Sequence, residues 1–216
     1  MSRPQCPHCQ RPLSHCLCSL LPSLASRTQV LILQHPSESG HALNTARLVA
    51  LGLSTAELRV GELFDELPGD GVGNYLLFPD ENAVPLETLA ARAGPIRLIV
   101  PDGTWRKARK LLHLNPRLAS LPRVALPEGL VSRYRVRKAP QAGALSTLEA
   151  VVVALNTLEG EGRYDALLRP FEAMIEAQIE AMGAEVYQRN HAGFQQPVNE
   201  QEESSCAGYT ASPASR

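Results

Sequence analysis

The 216-residue sequence contains no apolar run approaching the ~18 residues that a transmembrane helix needs, so a membrane protein is not expected. Its first residues are polar and include cysteines, without the basic and then apolar segments of a secretory signal. A secreted domain stabilised by disulfides is therefore not expected either, and a reducing, cytoplasmic setting is predicted. Hydrophobic residues make up 44% of the chain, which is ordinary for a domain with its own core.

An excess of charge of one sign is also missing, because the formal net charge is −1. The charges are nevertheless unevenly distributed. Residues 104–138 contain ten Lys or Arg and one acidic residue, whereas the other 181 residues carry 11 basic and 21 acidic side chains. A basic segment on an acidic body is typical of a protein that binds a polyanion. The alternative is a solvated basic surface with acidic neighbours in three dimensions.

Hydrophobic patterns predict short buried strands that alternate with helices. Strands are predicted at residues 30–33, 75–78, 96–101 and 123–127, and helices at residues 41–53, 85–93, 104–114, 146–158 and 164–182. Three consecutive valines would also suit a strand at 151–153, but the capping-box spacing of Ser146 and Glu149 favours a helix. This alternation predicts an α/β fold with a mostly parallel sheet covered by helices on both faces.

Three of the predicted strands run directly into unusual residues. These are Gln-His-Pro at 34–36, Phe-Pro-Asp at 78–80 and Pro-Asp-Gly-Thr-Trp at 101–105. Ligands of parallel α/β sheets bind beyond the carboxyl ends of the strands. The sequence therefore predicts a functional site where these three segments meet.

Four of the five cysteines lie within the first 18 residues: Cys6, Cys9, Cys16 and Cys18. Four closely spaced thiols, two of them in a Cys-x-x-Cys turn, predict a structural zinc site that would supply the folding energy of so small a segment. A redox pair or two disulfides are the alternatives, although a redox Cys-x-x-Cys normally accompanies a βαβ unit. We expect a zinc module at residues 1–22, an α/β domain at 23–194 and a tail without fixed structure at 195–216.

The segment after the third predicted strand combines a carboxylate with a basic helix. Gly103 permits a sharp turn, and Thr104 is a plausible helix N-cap, which places Asp102 beside the N-terminus of the helix. Asp102 could also do no more than brace the turn. Four residues share one helix face: Arg106, Arg109, Lys110 and His113. That face could follow phosphates, and Trp105 could stack on a base or belong to the core.

Together, these segments resemble the DTW-domain family. The resemblance rests on five segments in register: the cysteine cluster, Gln-His-Pro-Ser-Glu at 34–38, Asn-Thr-Ala-Arg at 44–47, Asp-Gly-Thr-Trp at 102–105 and Ser-Thr-Leu-Glu-Ala at 146–150. The members that this chain resembles are bacterial tRNA-uridine aminocarboxypropyltransferases. The resemblance implies transfer of the 3-amino-3-carboxypropyl group of S-adenosylmethionine to N3 of a uridine in the tRNA variable loop, with release of methylthioadenosine. It also implies a fold similar to the knotted SPOUT methyltransferases.

This chemistry assigns expected roles to residues of the chain. Because the uridine imide is protonated at neutral pH, a base assists the reaction, and Asp102 is the first candidate and His35 the second. Similarity to the knotted fold implies that the cofactor lies against Leu77, Phe78, Pro79, Thr104, Ser146 and Thr147. Arg47 or Arg137 could bind the carboxylate of the cofactor. The residues expected to contact tRNA are Trp105, Arg106, Arg109, Lys110, Arg135 and Arg137. His35 could also be purely structural.

Two other functions fit the same residues. One is an RNA methyltransferase of the same fold that uses S-adenosylmethionine, and the other is a zinc-bearing RNA-binding protein without catalytic activity. The partner expected in each case is an RNA and not a membrane. The sequence leaves the choice between monomer and dimer open.

Overall fold

The computed structural model describes residues 4–136 and 144–191, and within these ranges the chain forms a six-stranded sheet. The strands are β1 (Gln29–Gln34), β2 (Ala56–Val60), β3 (Gly73–Leu77), β4 (Val84–Pro85), β5 (Ile96–Asp102) and β6 (Arg123–Ala125). Their order is β2-β1-β5-β3-β6-β4, and every pairing is parallel. The predicted parallel sheet is thus confirmed.

The α-helices connect and cover these strands. They are α1 (Ala46–Gly52), α2 (Trp105–Leu114), α3 (Pro116–Ala119), α4 (Thr147–Glu159), α5 (Leu168–Met182) and α6 (Ala184–His191). Short 3-10 helices lie at Leu13–His15, Cys18–Leu20, Pro36–Glu38, Leu86–Leu89 and Asp165–Leu167. Within the described residues, no helix combines the length and the apolar character needed to cross a membrane.

The sheet separates two hydrophobic clusters because successive side chains of a strand point to opposite faces. Val30 and Ile32 of β1 join the larger cluster, which includes buried side chains of α1, α4 and α5. Leu31 and Leu33 join the smaller cluster, which includes buried side chains of α2 and α3. Helices therefore cover both faces of the sheet, as the sequence predicts.

Two of the predicted helices need correction. The first begins at Ala46 rather than at residue 41, because the chain first forms the 3-10 turn at Pro36–Glu38 and then a loop. The prediction at residues 85–93 is wrong. Pro85 belongs to β4, and the 3-10 helix that follows places Leu86 and Leu89 on one side, where both are buried.

Three further differences or open points concern β2, the expected tail and the knot. Strand β2 was not predicted from the sequence, because its residues are polar in part and only half-buried at the edge of the sheet. Residues 195–216, expected to form a tail, lie outside the described residues. The knot stays a prediction, because residues 137–143, which precede α4, also lie outside them.

Candidate functional site

The carboxyl ends of β1 and β5 lie side by side. The two strands are parallel neighbours, and their register pairs Gln34 with Asp102. The backbone N–H of His35 donates to the carbonyl oxygen of Asp102 at 3.1 Å, which extends the pairing past the end of β1. Two of the three strand ends singled out in the sequence therefore meet directly.

Asp102 is nearly buried, with 9% of its surface exposed, and both carboxylate oxygens accept hydrogen bonds. Gln34 Nε2 donates to Oδ2 at 2.7 Å, and the hydroxyl group of Thr147 donates to Oδ1. Thr147 is the first residue of α4, so the segment around residues 146–150 also reaches the carboxylate. A buried carboxylate is stable when such donors replace water.

The amide of Asn44 extends this group of hydrogen bonds to the segment before α1. Asn44 and Gln34 exchange two amide hydrogen bonds, each 3.3 Å long. Gln34 belongs to a segment that the sequence predicts to form the site and Asn44 to a segment of the family resemblance, but the sequence assigned no role to either side chain. Their pairing depends on how the loop after β1 folds back, and the linear pattern contains no signal for that path.

His35 is engaged at both ring nitrogens. Nε2 lies 2.8 Å from Glu62 Oε1, and Nδ1 accepts from the backbone N–H of Ser37 at 3.3 Å. These partners fit a ring that carries its proton on Nε2. Glu62 also binds Lys110 Nζ at 2.8 Å, and Lys110 and His35 together hold the pKa of Glu62 below its usual value. The geometry therefore favours the structural alternative for His35, which links β1 to α2.

The residues predicted to contact the cofactor lie in three segments. These are residues 77–79 at the end of β3, Thr104 before α2, and Ser146 and Thr147 at the start of α4. Leu77 and Phe78 are buried in opposite clusters, so their side chains face the core, whereas Pro79 is exposed. Ser146 is buried at the N-terminus of α4.

The N-terminus of α4 has the predicted capping box. Ser146 Oγ accepts from the backbone N–H of Glu149, and the Glu149 carboxylate accepts from the backbone N–H of Ser146 at 2.8 Å. The same carboxylate binds the hydroxyl of Ser132 and, at 2.6 Å, the backbone N–H of Arg133. Glu149 therefore also fixes the basic segment that precedes residues 137–143, a role that its sequence pattern did not reveal.

Acidic side chains neutralise much of the basic segment. The ion pairs are Lys107–Glu38, Lys110–Glu62, Arg123–Asp80, Arg133–Glu172 and Arg135–Glu176. Arg106 and Arg109 are exposed on α2, and neither has an acidic partner among the residues that the structure describes. Arg137 lies outside those residues. The alternative of nearby counter-charges is thus correct for half of the basic side chains, and the positive surface on α2 is narrower than the sequence suggests.

The four N-terminal cysteines converge as predicted. Their sulfurs all lie within 4.8 Å of one another, with 3.6 Å between Cys6 and Cys18 and 3.8 Å between Cys9 and Cys16. These distances are too long for disulfides of about 2.05 Å. A tetrahedral zinc with Zn–S bonds of about 2.3 Å separates its sulfurs by about 3.8 Å, so the cluster fits this ion. Backbone hydrogen bonds from Cys9 and His8 lower the pKa of the Cys6 thiol to about 6, whereas desolvation and the neighbouring thiols raise the pKa of Cys18 to about 12.

Comparison with known proteins places these features in a family. The family described as "DTW domain" matches residues 3–179. The chain belongs to the DTW-domain family.

Curated relatives extend over most of this DTW domain. The chain is 34% identical over 191 residues to "tRNA-uridine aminocarboxypropyltransferase 2" of Drosophila melanogaster, which covers 82% of the chain and 76% of that protein. It is 33% identical over 192 residues to the Mus musculus protein of the same name, of which it spans 64%. An Arabidopsis thaliana relative, "tRNA-uridine aminocarboxypropyltransferase A", is 30% identical over 193 residues. No solved structure gives a significant match.

The Asp, Thr and Trp of this DTW domain have three different structural roles. Asp102 ends β5 and carries the hydrogen-bonded carboxylate described above. Thr104 caps α2, because its Oγ1 accepts from the backbone N–H of Lys107 at 3.4 Å. Trp105 packs edge-to-face on Phe78, with 5.6 Å between ring centroids, and is half-buried against the smaller cluster. The structure therefore favours the core alternative for Trp105.

Proposed function

We propose that the protein is a tRNA-uridine aminocarboxypropyltransferase. It would transfer the 3-amino-3-carboxypropyl group of S-adenosylmethionine to N3 of a uridine in the tRNA variable loop and release methylthioadenosine. Similarity to relatives with this name over 82% of the chain supports the activity. The observation that carries the proposal on the structural side is the buried carboxylate of Asp102, which side chains of β1 and α4 hold at the carboxyl edge of the parallel sheet.

In this reaction Asp102 is the general base. Its carboxylate accepts the proton from uridine N3 as N3 forms a bond to the carbon of the aminocarboxypropyl group and the bond from that carbon to sulfur breaks. S-adenosylmethionine supplies an electrophilic carbon next to a positively charged sulfur. The chain contributes proximity and orientation, since the reacting nitrogen must be aligned with that carbon.

The surroundings of Asp102 suggest where the co-substrate binds. We assign it to the strand edge between residues 77–79, Thr104 and the N-terminus of α4 with Ser146 and Thr147. Arg47 is half-buried in the first turn of α1 and has no ion pair among residues 4–136 and 144–191. It follows Asn44, which belongs to the hydrogen-bonded group around Asp102. Arg47 is therefore our candidate for the carboxylate of the co-substrate.

We assign tRNA binding to the basic surface of α2. The exposed Arg106 and Arg109 would contact phosphates, because guanidinium groups without acidic partners can exchange counterions for RNA. Lys110, Arg135 and Arg137 could extend this contact. Lys110 and Arg135 would add less to the affinity for tRNA, since each already forms an ion pair with a glutamate.

The cysteine cluster is assigned a structural Zn²⁺ bound by Cys6, Cys9, Cys16 and Cys18. Such an ion would hold the N-terminal segment in its folded form. Clustered free thiols and a zinc-type spacing are typical of proteins kept in a reducing compartment, which supports a cytoplasmic location.

Analysis of the nucleosides of tRNA incubated with the protein and labelled S-adenosylmethionine tests the activity. We expect an aminocarboxypropyl-uridine from the wild-type protein and near-complete loss of product with Asp102→Asn, while tRNA affinity is retained. Asp165→Asn is the matched control, since this exposed aspartate lies beyond the opposite end of α4 and should leave product formation unchanged.

The same measurement separates the two alternatives. A methylated nucleoside, with its smaller added mass, would identify a methyltransferase. Unmodified tRNA with normal binding would identify an RNA-binding protein without catalytic activity. Full activity of Asp102→Asn would overturn the assignment of the base.

A further inference from the structure

The hydrogen bonds around Asp102 include a buried amide that can face the carboxylate in only one way. Gln34 is fully buried at the end of β1, and its Nε2 lies 2.7 Å from Asp102 Oδ2. A glutamine can present either its NH₂ group or its oxygen to a neighbour. The oxygen would repel the carboxylate, so the orientation of this amide determines whether Asp102 is stable in its ionised form.

Asn44 sets that orientation. Its Nδ2 donates to Gln34 Oε1, which leaves the NH₂ group of Gln34 directed towards Asp102. Backbone groups orient Asn44 in turn. Its Nδ2 also donates to the carbonyl oxygen of Glu38 at 3.2 Å, and its Oδ1 accepts from the backbone N–H of Arg47 at 3.2 Å. A chain of hydrogen bonds thus leads from the backbone to the carboxylate.

We propose that Gln34, oriented by Asn44, is the positioning residue of Asp102 and keeps its carboxyl group ionised and ready to accept a proton. Burial alone favours the neutral acid, whereas a hydrogen bond donated to the carboxylate favours the charged form. Gln34 supplies that bond and also fixes the plane of the carboxylate. That this positioning by Gln34 matters for the reaction rests on the function proposed above.

Other titratable or charged groups lie on the segments around this site. They are His35, Glu38, Arg47, Glu62, Lys107, Lys110 and Glu149. The side chains of all these residues except Arg47 have hydrogen-bonded partners of their own among the described residues. A substitution at Gln34 leaves these pairs in place, so a change in the titration of Asp102 in such a variant would come from the residue substituted.

Gln34→Glu and Gln29→Glu form a matched pair of variants. Both change a glutamine of β1 to glutamate, but Gln29 lies at the opposite end of the strand and binds the guanidinium of Arg97. Gln34→Glu places a second carboxylate beside Asp102 in a buried site, where both cannot be ionised easily. We expect the acid limb of the kcat–pH profile to move up by at least about one pH unit, so that kcat at a pH on this limb falls roughly tenfold, with little change in KM. Gln29→Glu should keep the wild-type profile.

Carbon-13 NMR provides a readout that does not need product formation. The carboxyl resonance of Asp102, identified by its absence from Asp102→Asn, should titrate at higher pH in Gln34→Glu than in the wild-type protein or in Gln29→Glu. If the wild-type protein forms no product, the proposed function is overturned, and the NMR titration still decides the role of Gln34.

Asn44→Ala keeps the proposal testable if Gln34→Glu does not fold. This substitution removes the group that orients Gln34 and leaves Gln34 and Asp102 in place. It should move the same acid limb and the same resonance upwards, by less than Gln34→Glu would. Wild-type titration of Asp102 in folded Gln34→Glu or in Asn44→Ala would overturn the proposal.

Discussion

Thr147 occupies a position from which it can influence both the proposed base and a bound ligand. Its hydroxyl group binds Asp102 Oδ1, and the residue is only half-buried. The sequence assigned Thr147 to the cofactor wall through the family resemblance alone. The structure adds a direct bond to the carboxylate, so the orientation of Asp102 depends on α4 as well as on β1.

Replacing this hydroxyl group tests its contribution. Thr147→Val keeps the shape of the side chain but removes the donor to Asp102, and a hydrogen bond to a charged group is worth ~1.5–3 kcal/mol. We expect kcat to fall roughly 10- to 100-fold in nucleoside assays if the bond acts in the transition state. Thr147→Ser retains the hydroxyl and should recover most of the activity. Full activity of Thr147→Val together with loss in Thr147→Ser would mean that the methyl group, not the hydroxyl, matters.

Individual residues differ in how much the sequence reveals about them. The position of Asp102 after an apolar strand and before a capped helix marked it as a candidate, and its proposed role as a base rests on the family resemblance. The role of Gln34 was hidden, because a buried amide has no pattern that distinguishes a core residue from the partner of a carboxylate. For His35, the observation that favours a structural role is its contact with Glu62, which follows a strand that the sequence did not predict.

Helix α2 has one face that is buried and another that exposes basic side chains near the candidate site. Ala108, Leu111 and Leu112 are buried, while Arg106 and Arg109 are exposed without acidic partners among the described residues. Glu62 is shared between Lys110 and His35, which fixes this helix relative to β1. The helix therefore presents, at a defined orientation, two guanidinium groups that have no acidic partner in the part of the chain that the structure describes.

Removing those two charges should weaken tRNA binding. Each phosphate contact contributes roughly 0.7–0.9 to the slope of log affinity against log salt concentration. Arg106→Ala combined with Arg109→Ala should therefore lower the slope by about 1–2 in binding assays at several salt concentrations. Arg163→Ala combined with Arg169→Ala removes the same charge from two exposed arginines outside α2 and is the control. Equal slopes in both double variants would show that α2 does not contact RNA.

At the level of secondary structure, the predictions from the sequence agree best with the structure where the elements are strongly buried. Strands β1, β3, β5 and β6 and helices α2, α4 and α5 coincide with the predicted segments, because apolar runs and capping residues mark them. Strand β2 escaped detection since an edge strand contains fewer apolar residues. At residues 85–93 a proline and a glycine suggested the ends of a helix, but only Leu86–Leu89 form a helical segment, which is a 3-10 turn.

The N-terminal segment is packed against the main domain as well as held together by its cysteines. Leu17, one residue before Cys18, is buried in the larger hydrophobic cluster. Arg11 Nη2 lies 2.7 Å from Met174 Sδ of α5, and burial lowers the pKa of this arginine. The folded state of the cysteine cluster should therefore affect the stability of the whole domain.

Loss of the proposed Zn²⁺ should destabilise more than the N-terminal segment. Cys9→Ser or treatment with a chelator should release zinc and lower the thermal midpoint by roughly 5 °C, as expected when a buried leucine such as Leu17 loses its contacts. Metal analysis and calorimetry measure both effects. Cys206→Ser changes a cysteine outside the cluster and should retain the zinc. An unchanged midpoint in metal-free protein would contradict the coupling.

For the whole molecule, the fold class and the family followed from the sequence, whereas the strand order did not. Alternating strands and helices indicate a parallel sheet but not which strands are neighbours. That β1 lies beside β5, and that Asp102 therefore meets Gln34, depends on crossovers between segments about 70 residues apart. The sequence predicted that the ends of β1 and β5 lie close together, which the structure confirms, but the hydrogen bonds between their side chains depend on the three-dimensional fold.

The proposed base at position 102 is joined by hydrogen bonds to positions 34 and 147, and through position 34 to position 44, so the site joins segments made early and late in translation. A nascent chain that has not yet left the ribosome beyond α4 has the carboxylate but not its hydroxyl partner. Truncated products that end before that helix should accordingly be inactive, even where their first strands have paired. The order of synthesis thus delays the assembly of a competent site until most of the domain has emerged.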